Sequence, residues 1–174
     1  MRQAAPPYAG EGAHALWHVS EDDSIRRFEP RDGEVWAIDT RHWPLYWFPR
    51  ECPRATFWAD SATSDEDVVR FLDGDRGRRV HVVEPGWLPW LRTTRVVSYR
   101  MPEETFVQNE DRFWISPEPV EPLELVGLGD LVARHEAAGI ELQSDPRLLA
   151  FWDEVIASTL EFSGIRLRNA RMSV

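Results

Sequence analysis

From Trp17 to Ser20, apolar and polar side chains alternate in LWHVS, residues 16–20. That period of two marks a half-buried β-strand. Leu16, His18 and Ser20 then share one face, and Trp17 and Val19 the other. EVWAID, residues 34–39, is a short apolar run between two acids and reads as a second strand, with Val35 and Ala37 on one face and Trp36 and Ile38 on the other. Further strands are expected at 55–59, 79–84, 105–108 and 113–116, and at 95–101, where VVSY carries high β-propensity. Extended chain is expected over 122–127. Asp32-Gly33 and the DGDRG run at 73–77 read as turns.

Between these strands the period lengthens only briefly. Ile25 and Phe28 suggest one helical turn or a tight loop, Val68 to Leu72 an amphipathic turn, and Trp87 to Leu91 another turn. Thr40 is placed to cap a short helix over 41–48 with Pro44 in its first turn. Beyond residue 130 the character changes. A helix over 130–138 stops at Gly139, and 140–142 is a short strand. Asp145 and Pro146 then open a helix over 146–160, with Leu148, Leu149, Trp152, Val155, Ile156 and Leu160 at helical spacing. A last strand or irregular tail covers 163–167. Strands lead and helices follow, so an α+β fold is expected rather than alternating α/β. The expected organisation is a flexible tail over 1–14 and one α+β domain over 15–174.

A chain of 174 residues is long enough to bury a sizeable core. Its net charge of −10 disfavours nucleic acid, whose phosphates it repels at long range. Every cation is arginine, the better bidentate partner for carboxylate and phosphate. No apolar run is long enough for a membrane span, and the first residues lack the apolar core of a secretory signal, so the cytoplasm is the expected compartment. Nine tryptophans supply core area, and some can line a pocket where a ring stacks.

Several chemistries are weighed and set aside. Cys52 is the only cysteine, which excludes a cysteine-built zinc site and an internal disulfide. As a nucleophile it, or Glu118, would need a histidine within hydrogen-bond reach. The five histidines show no HxH or HExxH spacing, so no metal is expected. VGLGD lacks the remaining glycine and lysine of a phosphate loop. Arg31, Arg50 and Arg54 stand beside prolines in FEPR and PRECPR, and rigid loops presenting guanidinium groups suit a pyrophosphate.

Three segments then line up in order: LWHVSE (16–21), VWAIDT (35–40) and FWISPEPVEPLELVG (113–127). Together with RVHVVEP (79–85), they resemble the ADP-ribosyltransferase superfamily, especially small bacterial members such as the rifampin ADP-ribosyltransferases. The HVSE, FEPR, WAID and PEPVEPL pattern is also similar to a bacterial family that carries no assigned activity. The first resemblance implies two small, mostly antiparallel sheets forming a cleft that takes NAD, with helices concentrated at the C-terminal end. It implies that His18 holds a ribose hydroxyl, that the Val19 backbone holds the nicotinamide amide with Ser20 beside it in the cofactor site, and that Trp36 stacks on the nicotinamide. Tyr46 joins them in the cofactor site, and Arg31, Arg50 or Arg54 meets the pyrophosphate. Glu110 or Glu118 is the candidate acid that steadies the oxocarbenium-like state. The partner implied is a nucleotide-type small molecule, with an unidentified acceptor. A non-catalytic module that uses the same cleft for another small ligand is the alternative.

Overall fold

LWHVS forms the expected strand. In the computed structural model, which describes residues 15–109 and 113–171, Leu16–Ser20 is β1 and Val35–Asp39 is β2. Then follow β3 (Arg54–Trp58), α1 (Asp65–Leu72), β4 (Arg79–Val83), α2 (Leu88–Thr93), β5 (Val97–Met101), β6 (Val107–Asn109) and β7 (Phe113–Ser116). The chain goes on through β8 (Glu124–Gly127), α3 (Leu131–Ala137), β9 (Glu141–Ser144), α4 (Leu148–Ile156) and β10 (Glu161–Ile165). The fold is α+β, with two antiparallel-rich sheets and with α2, α3 and α4 in the C-terminal half. No helix among the described residues is long and apolar enough to cross a membrane. The tail expected over 1–14 lies outside the described residues.

The contacts divide the chain into two compact units. One runs up to Arg50 and adds Thr94–Gly129; the other holds Glu51–Thr93 and the described chain from Asp130 on. The first carries a six-stranded antiparallel sheet in the order β6-β7-β2-β1-β5-β8. Leu16, Val35, Ala37, Val97, Tyr99 and Met101 fill the core on one face, closed by Phe28, Phe106 and Val120. On the other face Trp17 stacks on Trp43, with centroids 4.2 Å apart. The indole Nε1 of Trp17 donates to Thr40 and that of Trp43 to Ser98, so neither buried ring strands its polar atom.

Local chemistry sets the turns that frame this sheet. Asp32 and Gly33 both have positive φ (54° and 90°), and Arg31 and Glu34 exchange two backbone hydrogen bonds across them. That two-residue turn suits the right-handed twist of the flanking chain, and Gly33 meets its backbone demand. The expected Thr40 cap does not form. The Thr40 hydroxyl is already engaged by Trp17, and a single 3-10 turn over Trp43–Tyr46 starts from His42, whose N–H and Nδ1 both bond Asp39 Oδ1.

The second unit carries a four-stranded sheet, β10-β3-β4-β9, parallel only between β4 and β9. Ala55, Phe57, Val80 and Val82 meet Val68 and Leu72 of α1 and Leu148 and Val155 of α4 in one core. Helix α1 is capped by Ser64, whose hydroxyl accepts from Asp67 N–H, and α3 by Asp130, which accepts from Val132 and Ala133. The long helix expected over 146–160 is shorter. Asp145 accepts from Arg147 N–H before the helix opens at Leu148, and Ser158 O–H donates to the Val155 carbonyl just past its end.

Candidate functional site

The ladder between β1 and β2 pairs Leu16 with Asp39 and Trp17 with Ile38, then stops. Thr40 N–H donates to Ala15 C=O at 3.0 Å, so the odd residues of β1 turn their peptide groups toward β2. Continuing the ladder needs Val19 N–H on the Trp36 carbonyl. That bond would pair His18 with Ala37, and no such pair forms. The imidazole of His18 takes the carbonyl instead, Nδ1 to Trp36 O at 2.7 Å. A side chain has replaced a ladder bond, and the Val19 N–H is left beyond the last paired residues.

A hollow of about 210 Å³ opens at this point, bordered by His18, Val19, Trp36, Tyr46, Ile38 and Phe113. By alternation His18 and Trp36 root on opposite faces of the sheet. They reach one hollow because the two strands are not paired there. Trp36 is 43% exposed, with its ring edge-on to Phe113 at 5.5 Å. The His18 ring lies 4.6 Å from Phe28, which meets Tyr99 edge-on at 5.1 Å. The Tyr99 hydroxyl donates to Asp22 C=O at 2.9 Å and accepts from Ile25 N–H at 3.1 Å, tying the loop after β1 to the sheet.

A carbonyl only accepts, so Nδ1 of His18 carries the proton and Nε2 is the open acceptor. Burial, more than any other cause, holds the imidazole below its usual range. The charges of Arg31 and Arg50 lower it further, against the Trp36 carbonyl, which raises it. The site thus combines a neutral imidazole, an indole face, a backbone N–H and two nearby cations. Such a set suits a ligand with a flat ring, hydroxyl donors and an anionic group.

Of the residues proposed from sequence, His18, Val19, Trp36 and Tyr46 border the hollow. Arg31 and Arg50 are exposed and act electrostatically on His18; the Arg50 N–H is anchored on Glu21 Oε1 at 2.7 Å. Ser20 is not among the lining residues, and its hydroxyl accepts from Asp22 N–H at 3.0 Å. Arg54 belongs to the other unit, where it is buried and donates to Cys52 C=O at 2.9 Å, so it does not join this group. Glu118 is exposed in the turn after β7 and does not line the hollow. Glu110 lies outside the described residues, three positions before Phe113. Ile38 and Phe113 border the hollow without having been singled out; their signal was the face Ile38 shares with Trp36 on β2 and the aromatic start of FWIS.

Two further groups lie in the second unit. Cys52 is fully buried, and burial pushes its thiol up to about 12, so it holds no thiolate near neutrality. His81 Nδ1 lies 3.0 Å from Nε2 of His135, and His135 Nδ1 donates to Leu131 C=O at 2.6 Å. The carbonyl fixes the proton on His135 Nδ1, so His81 Nδ1–H donates into the bare Nε2 of its partner. Burial lowers both rings, His135 to about 4. Among the described residues no three His, Cys, Asp or Glu side chains are grouped to hold a metal ion.

Residues 17–170 match a family of unknown function, DUF6886, and the chain belongs to that family. No curated protein and no solved structure matches the chain.

Proposed function

We propose that this protein is an NAD-binding, ADP-ribosyltransferase-like protein of the cytoplasm, with the nicotinamide end of NAD held beside His18 and Trp36. One observation carries the reading: the His18 imidazole breaks the β1–β2 ladder at Trp36 and borders the resulting hollow together with the Trp36 indole. In this reading His18 Nε2 accepts from a ribose hydroxyl. The Val19 N–H beyond the ladder donates to the carboxamide oxygen, and the indole stacks on the nicotinamide ring. A hollow of about 210 Å³ suits one ring and not a whole dinucleotide, so the pyrophosphate lies outside it, toward Arg31 and Arg50. Heterolysis of the glycosidic bond leaves both bonding electrons on nicotinamide and a cationic ribosyl carbon, which an acceptor nucleophile then attacks.

Binding without turnover is the second reading. It is favoured by one observation: the described lining of the hollow contains no carboxylate to stabilise that cation. The two readings part in one experiment on the full chain. NAD is titrated while tryptophan fluorescence is followed, and nicotinamide release is measured in the same samples. Saturable quenching that Trp36→Ala abolishes supports the site. Slow nicotinamide release that Glu110→Gln abolishes supports catalysis, and quenching without release supports the module. No saturable change at millimolar NAD sinks both.

A further inference from the structure

A larger hollow, of about 520 Å³, lies within the unit that does not contain His18. Its size is within the range of sites that hold small organic molecules, roughly 300–1,000 Å³. It is bordered by Glu84, Trp87, Trp90, Pro146, Asn169 and Arg171, among others. The sequence builds it from a compact unit: β4 ends at Val83, Pro85–Trp87 forms a 3-10 turn, and α2 continues directly through Trp90. Trp90 is 62% exposed, a large apolar face with no role in either core.

The carboxylate is the unusual group here. Glu84 is only 7% exposed, yet among the described residues it has no ion-pair partner. Its one hydrogen bond is from Arg171 N–H to Oε1, at 2.8 Å. A carboxylate offers about four acceptor positions, so most of its capacity is unspent. A charge held away from water without a counter-charge is costly, and such groups are ordinarily paired. Asn169 adds a second acceptor. Its Nδ2 gives hydrogen bonds to Glu51 C=O and Glu51 Oε2, both at 2.9 Å, which leaves Oδ1 to accept. Arg171, the cationic residue of the described lining, meets Glu84 only through its backbone N–H, so two acceptors and two indoles are left for a ligand that brings N–H donors, positive charge and apolar surface.

We infer that this hollow binds an organic cation, an alkylammonium-type group seated against Trp87 and Trp90 with its charge on Glu84. The indole faces attract the cation through their quadrupoles, and the carboxylate neutralises it. The site does not depend on the reading of the His18 hollow, and its test uses neither NAD nor His18.

The test follows the indole N–H signals of Trp87 and Trp90 by NMR in the full chain. The probes are n-butylammonium chloride, 1-butanol and sodium butyrate, at one ionic strength set with sodium chloride. The expected result is saturating shifts of both signals with n-butylammonium, at a dissociation constant on the order of 1 mM. 1-Butanol binds about tenfold more weakly, and butyrate gives no saturation. Glu84→Gln abolishes the ammonium response. Trp90→Ala, at an exposed position that leaves the core intact, weakens it about tenfold and decides the matter should Glu84→Gln not fold. Shifts from 1-butanol or butyrate as strong as those from n-butylammonium overturn the inference, and so do an undiminished affinity in Trp90→Ala or the absence of any saturable shift.

Discussion

His18 and the His81–His135 pair use the same physics to opposite ends. In both places burial is the largest cause that holds the imidazole neutral, and in both a backbone carbonyl fixes a proton on Nδ1. The pair is sealed: His81 and His135 are fully buried, and His81 donates into the one ring nitrogen that His135 has left. His18 is half-buried at the place where two strands part, and its second nitrogen has no ring to meet. A neutral histidine stabilises a fold when its partners are all internal. It becomes a candidate binding group when one partner must come from outside.

Deleting one ring from each place separates the two roles most strongly. His135→Ala leaves the buried His81 N–H without an acceptor and opens a cavity, so it is expected to lower unfolding stability by about 3 kcal/mol in urea denaturation. His18→Ala loses one partly solvated hydrogen bond, and Val19 N–H or water can take its place on the Trp36 carbonyl. It is expected to cost about 1 kcal/mol. Equal losses would mean that His18 is as much a structural group as the pair.

Acid distinguishes the two places next. In the unfolded chain a histidine titrates near 6.5, whereas in the fold His135 titrates at about 4 and His81 is held well below 6.5. Below pH 6.5 the unfolded chain therefore binds more protons than the fold. Stability is full above that value and declines as the pH falls from 6.5 through about 4. The double variant His81→Leu, His135→Leu removes both partners together, so it is expected to be less destabilised than His135→Ala and to flatten this decline. His18→Ala leaves most of the decline in place. Denaturant midpoints measured from pH 7.5 to 4 check all three.

Which of these places could be read from the letters follows from how far apart their parts lie. β1, β2 and the Asp32-Gly33 turn were legible because period, turn chemistry and pairing are local. His18 and Trp36 could be placed near one another because two adjacent antiparallel strands bring them there. That the ladder ends between them was not legible, because it depends on a side chain competing with a peptide group for one carbonyl. The His81–His135 pair gave no signal, since 54 residues separate the two rings and a parallel β4–β9 pairing followed from α3 brings them together. Arg54 misled for a related reason. Its neighbouring proline suggested an exposed loop, but it opens β3, and both faces of that strand are buried.

The smallest effect is the most selective. Arg31 and Arg50 lie on the surface, and their charges lower the His18 pKa from outside the fold. Arg31→Gln or Arg50→Gln is therefore expected to raise the pH at which the His18 ring proton resonances titrate, toward 6.5. Raising the salt concentration should act in the same direction, because exposed cations are screened over a Debye length of about 10 Å at 0.1 M. His135 should move much less with salt and not with either substitution, since its leading cause is burial and, of the arginines that lower it, Arg79 and Arg54 are buried and Arg134 is half-buried. NMR titration of both histidines in low and high salt reads the contrast in one sample. If His18 were as indifferent to salt as His135, its arginines would not be addressing the hollow, and the anionic end of any ligand there would have to be held by other groups.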